Sequence, residues 1–145
     1  MEASKIDWKR FQEEIGYTDE ELALFRANPK AVKLLERSEA MAEWEIVAEV
    51  MTAHGCSHHR VGDKIILSPL GVLLTRKSPE KVCIQALAPL ALAVAVIQER
   101  FVNGLEPEPV MFDRLGCCDV GVECGGWGHI CLKTYAVRRG EGKAP

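Results

Sequence analysis

From Ala86 to Ile97 the chain runs through 12 consecutive residues with no charged or polar side chain, Pro89 among them. A helix that is apolar all round has no face to give to water, so it must be sandwiched in a core or shared with a second subunit. Ser78-Pro79 supplies its start, with serine as cap and proline in the first turn. Glu80 suits the positive end of the helix dipole. The predicted helix carries Cys83, bends or breaks near Pro89, and ends at Asn103-Gly104. A run of 12 residues falls short of the roughly 20 that span a bilayer, so a core helix is expected and no membrane partner.

The residues before it read as helices and then a strand. Trp8, Phe11 and Ile15 recur at helical spacing, with Gly16 as a stop. Thr18 and Glu21 form a capping-box pattern ahead of Leu22 and Phe25. Asn28-Pro29 opens a third helix, whose face is Ala31, Leu34, Leu35, Ser38, Met41 and Ala42. Residues 1–42 are therefore expected to be a helical arm that packs on something else, since its helices are individually short. From residue 43 the period becomes two: Glu43, Glu45 and Glu49 alternate with Trp44, Ile46, Ala48 and Val50, a strand with its acids in water. A helix continued from Pro29 is the competing assignment. Lys64 to Ser68 and Val72 to Thr75 read as a hairpin around Ser68-Pro69-Leu70-Gly71. Met111 to Leu115 and His129 to Val137 are the last strand candidates. The expectation is an α+β fold: a small, mostly antiparallel sheet packed on one long buried helix, with a core domain over 43–137 and a frayed tail over 138–145.

Composition narrows the function. The chain has 145 residues, 48% hydrophobic and 27% charged, with 18 Lys and Arg against 21 Asp and Glu. A formal net charge of −3 lacks the basic footprint of a nucleic-acid binder. The opening residues Met1 to Trp8 carry no apolar export core, so a cytoplasmic location is expected. Six cysteines in a reducing compartment are thiols rather than a disulfide framework.

Their positions suggest a site. One loop, His54 to Asp63, holds Cys56, His58 and His59. A second, Gly116 to Gly128, holds Cys117, Cys118 and Cys124. Thiolate and imidazole are the ligands zinc and iron prefer, and Cys56 and His59 have chelating spacing. Adjacent cysteines rarely both reach one ion, so one of Cys117 and Cys118 is expected to turn away into the core.

Gly55-Cys56, His59 with Val61-Gly62-Asp63, Cys83 with Ala86-Leu87, and Cys118-Asp119 together resemble a family of short uncharacterised bacterial and archaeal proteins. Their pattern is a Gly-Cys, a His-x-Val-Gly-Asp, a Cys-x-x-Ala-Leu and a late Cys-x-Asp. The likeness covers about 44–137. Cys118 followed directly by Asp119 departs from it, and Cys117, Cys124 and Gly125-Gly126-Trp127-Gly128 lie outside it. The resemblance implies Cys56, His59, Cys83 and Cys118 as site residues and carries no reaction. Three cysteines and a histidine suit a tetrahedral zinc or an iron–sulfur cluster with one imidazole ligand.

Two further readings stay open. A thiol turns nucleophilic beside a cation, and Cys56 is flanked by His58, His59 and Arg60. Cys56 then acts on a small-molecule substrate, with Asp63 and Asp119 orienting a histidine or moving protons. The non-catalytic reading is a homo-oligomer or an accessory subunit sharing its apolar helix with a partner. For Asp63 the simpler role is a turn residue, and for the glycines around Trp127 it is tight turning.

Overall fold

A computed structural model describes residues 5–141; the outer ends of the expected arm and tail, 1–4 and 142–145, lie outside the described residues. The fold is α+β. A four-stranded antiparallel sheet is built from β1 (Trp44–His54), β2 (Lys64–Leu67), β3 (Arg114–Gly116) and β4 (His129–Arg138), in the order β2-β1-β4-β3. The helices are α1 (Trp8–Ile15), α2 (Asp19–Arg26), α3 (Pro29–Met41), α4 (Ile84–Leu87) and α5 (Leu90–Val102).

The arm is capped by the chemistry expected of it. Thr18 and Glu21 close a reciprocal capping box on α2, and the Asn28 side chain accepts from the amides of Lys30 and Ala31 at the start of α3. α1 and α2 meet through the rings of Trp8, Phe11 and Phe25, which Tyr17 joins. α3 packs against α5, and its last residue, Met41, is buried in the main core. The arm's final turn thus belongs to the core.

Alternation sorts the sheet. Ile46, Ala48 and Val50, with Ile65, Leu67, Ile130, Leu132 and Ala136, face Leu90, Ile97 and Phe101 of α5. The opposite face gathers Val47, Ile66 and Tyr135. Here one expectation is corrected. Glu45 is not a solvated acid: it is buried, with Lys77 Nζ and Arg139 Nε on its Oε1, as a buried carboxylate requires. Glu49 accepts from the Tyr135 hydroxyl at 3.0 Å; burial and Glu49 push that phenol up to about 12. Only Glu43 behaves as expected, exposed beside Arg138.

The region after β2 differs from its sequence reading. The turn forms, with Gly71 at φ +89° donating to the Ser68 carbonyl, but the hairpin's second arm reduces to the single bridge Leu67–Leu73. No helix starts at Ser78: its hydroxyl is spent on the Ile66 backbone, and helix begins only at Ile84, with Cys83 as its extended cap. Pro89 breaks the helix as expected. By length and composition Ile84–Val102 is apolar enough to cross a membrane, because its flanks extend the 12-residue run. Leu90, Ala93, Ile97 and Phe101 lie buried, while Leu92 stays exposed; the helix is therefore not buried on every side. The third strand is displaced to Arg114–Gly116, leaving Met111 and Phe112 exposed. The first residues of the expected frayed tail are ordered instead: β4 includes Arg138, and the Arg139 amide donates to the Glu43 carbonyl.

Phe101 is fully buried between β1 and α5, edge-on to Trp44. Phe101→Ala is expected to cost about 3–5 kcal/mol, read as a lower urea midpoint.

Candidate functional site

A register shift in β1 between Val50 and Thr52 brings Ala53 opposite Ile130 and His54 opposite His129. An extra residue of this kind reverses the alternation beyond it, and Ala53 accordingly packs on the main core. The two cysteine-bearing loops therefore leave the sheet side by side. Their backbones touch: a Cβ on Gly128 would collide with the Gly55 carbonyl, and Gly55 itself turns at φ +66°. Only glycine permits this approach.

Between these loops and the start of α4 lies a cavity of about 390 Å³ whose wall includes Cys56, His59, Cys83 and Cys117. Three of the four residues implied by the resemblance are thus brought together. Cys118 is not: it is exposed, and its amide donates to the Gln85 carbonyl. The expectation that one of the pair turns away holds, but it is Cys118 that turns, and to solvent rather than core. Alternation explains the choice. Leu115 packs on the core, so Gly116 points out, Cys117 in and Cys118 out. That signal was available in the sequence, in the strand period continued from Leu115.

His59 is 2% exposed and acts as a strut rather than a free ligand. Its Nε2 accepts from the Cys83 amide at 3.0 Å, which places its proton on Nδ1. Nδ1 has no hydrogen-bond partner among the described residues; Asp63 Oδ2 stands 3.8 Å away, too far for a bond. Asp63 instead accepts from the Arg60 amide at 2.9 Å, the turn role. The His59 amide donates to Cys56 Sγ at 3.3 Å. Among the described residues no imidazole hydrogen-bonds to Cys56 Sγ; His58 shares its cavity wall.

Cys117 is differently placed. The Ile130 amide donates to its sulfur at 3.4 Å, and His129 Nδ1 lies 3.5 Å from it. That nitrogen donates to the Asp119 carbonyl at 2.6 Å, and the Cys117 thiol faces the same carbonyl at 3.7 Å. A carbonyl only accepts, so Nδ1 carries the proton. Gly116 makes room for the ring, which a Cβ there would meet at 2.9 Å.

Asp119 lines the cavity but is not poised to move protons. Its carboxylate accepts from the amides of Gly121 at 2.9 Å, Trp127 at 3.0 Å and Gly128 at 3.2 Å. These bonds, led by Gly121, hold it below the usual aspartate range. It brackets the glycine-rich loop. Cys124 is exposed and ends a 3₁₀ turn; Cys131 sits in β4 opposite Gly116. Neither lines the cavity.

As a ligand set for one ion, Cys56, His59, Cys83 and Cys118 do not fit: His59 Nε2 is spent on Cys83, and Cys118 faces water. Among the described residues, no three Cys, His, Asp or Glu side chains form a group that could hold a metal ion. What converges is three thiols and a volume suited to a small molecule.

No protein-family model, no curated protein and no solved structure matches this chain.

The Asp119 bracket makes a pH prediction. A carboxyl whose folded pKa is lowered adds stability above its unfolded value of about 3.9, and this is lost as pH falls through the folded value. Wild type is expected to exceed Asp119→Asn in urea midpoint at neutral pH, with the gap closing at the acid end. A gap independent of pH would contradict the bracket.

Proposed function

We propose that the protein binds a small molecule in the thiol-walled cavity and acts on it through Cys117 as a thiolate nucleophile. The observation that carries this reading is the setting of one sulfur of that wall, which accepts from the Ile130 amide and has the His129 ring 3.5 Å away. An amide donor and an adjacent imidazole, a cation once protonated, favour negative charge on a sulfur. Cys56, flanked by basic residues in sequence, has no hydrogen bond to a histidine ring among the described residues, whereas Cys117 has the His129 ring beside it, so the nucleophile moves to Cys117. Cys83 and Cys56 complete the wall, with His59 holding Cys83 in position. Asp63 and Asp119 support the loops. Chemistry that relies on free thiols belongs in a reducing compartment, consistent with a cytoplasmic protein.

A second reading rests on a separate observation: three soft sulfur ligands share one cavity, and the His59 amide donates to Cys56 Sγ as Ile130 does to Cys117. Hydrogen bonds to sulfur accompany thiolate ligation of iron–sulfur centres. On that reading Cys56, Cys83 and Cys117, which form no metal-holding group as they are placed, would draw together around zinc or iron, which would supply a Lewis acid to the bound molecule. The exposed apolar side chains of Leu92, Met111 and Phe112 suit a homo-oligomer or a partner subunit in either case.

Iodoacetamide labelling followed by mass spectrometry decides. Cys117, though half-buried, is expected to alkylate roughly tenfold faster than the exposed Cys118 and Cys124, and His129→Ala is expected to remove that lead. Faster labelling of Cys118 or Cys124 would overturn the proposal. Stoichiometric zinc or iron that is lost in Cys117→Ser but kept in Cys118→Ser would replace it with the metal reading.

A further inference from the structure

Trp127 is 77% exposed, yet it lies on the wall of the cavity. Its backbone is built into place. The amide is bonded to Asp119 at 3.0 Å, and both neighbours must be glycine: a Cβ on Gly126 would strike the Asp119 carboxylate, and one on Gly128 would strike Gly55. A large aromatic left this exposed stabilises no core. An indole carried on a fixed backbone at a cavity wall is a surface on which a ligand packs.

The charge of the wall selects the ligand. Among the described residues, no lysine or arginine lines the cavity, and Asp119 is its only acidic residue. Its carboxylate is bonded to three amides and stays ionised. An anion entering here meets no lysine or arginine, only the imidazoles of His58 and His59, whereas a cation meets both the indole and the carboxylate. Resting on the small-molecule reading above, we infer that the cavity takes a planar organic cation, such as a nitrogen heterocycle, stacked on Trp127 beside the Asp119 carboxylate and above the thiols.

The test is calorimetric titration of the full chain with three flat probes of similar size: N-methylquinolinium, quinoline and naphthalenesulfonate. The cation is expected to bind best and the sulfonate least. Trp127→Ala is expected to weaken the cation about tenfold, with Trp127→Phe keeping most of the affinity and circular dichroism verifying that both variants fold. Equal binding of the cation by wild type and Trp127→Ala, or sulfonate binding as tight as that of the cation, would overturn the inference. Its failure is separable from that of the nucleophile: Cys117 labelling tests the thiol without the indole, and calorimetry on Cys117→Ser tests the indole without the thiol.

Discussion

The buried hydrogen bond from the Cys83 amide to His59 Nε2 joins two stretches of chain separated by a strand, a turn and an irregular segment. Cys83 stands at the entry to α4, outside the sheet, and nothing in strand pairing would bring it to the loops between β1 and β2 or between β3 and β4. The histidine supplies the link, at the cost of an Nδ1 proton with no hydrogen-bond partner among the described residues. That link lets the third thiol face the same space as the other two. Without this strut the cavity would lose one wall.

The sheet supplies the other constraint. β1 is central, paired along its length with β4, and the irregularity after Val50 sets the ends of both strands so that Gly55 and Gly128 lie in contact. The Asp119 carboxylate then gathers three amides of the loop that follows β3. Rigidity at the site therefore comes from backbone contacts and one ionised side chain, set on the main core against which Cys56, Cys83 and Cys117 pack. This is consistent with a surface site held on a scaffold, where loops supply chemistry and the packed sheet supplies position.

Much of the scaffold was legible because its signals are local. Thr18, Glu21 and Asn28 cap the helices they were expected to cap, and the alternation from Trp44 marks β1. The failures occur where tertiary contacts override local chemistry. Ser78 looks like a helix cap, but its hydroxyl bonds Ile66; Glu45 looks like an outward acid, but Lys77 and Arg139 reach across to cover it. At the site, residue type nominated the right loops, while spacing could not choose between adjacent cysteines; the strand period from Leu115 does so, turning Cys117 inward. His59 was singled out for its imidazole, and it lies on the cavity wall. Its role as a strut depends on burial and on a partner 24 residues away, which no local pattern carries.

The central claim is that Cys56, Cys83 and Cys117, and not the other three cysteines, share one cavity. Phenylarsine oxide bridges pairs of neighbouring thiols, so its adduct on the reduced protein, mapped by protection from alkylation and mass spectrometry, reads that claim directly. One arsenical per chain, protecting two of Cys56, Cys83 and Cys117 while Cys118, Cys124 and Cys131 stay open to alkylation, is the predicted result. A bridge that includes Cys118, Cys124 or Cys131, or no bridge at all, would contradict it.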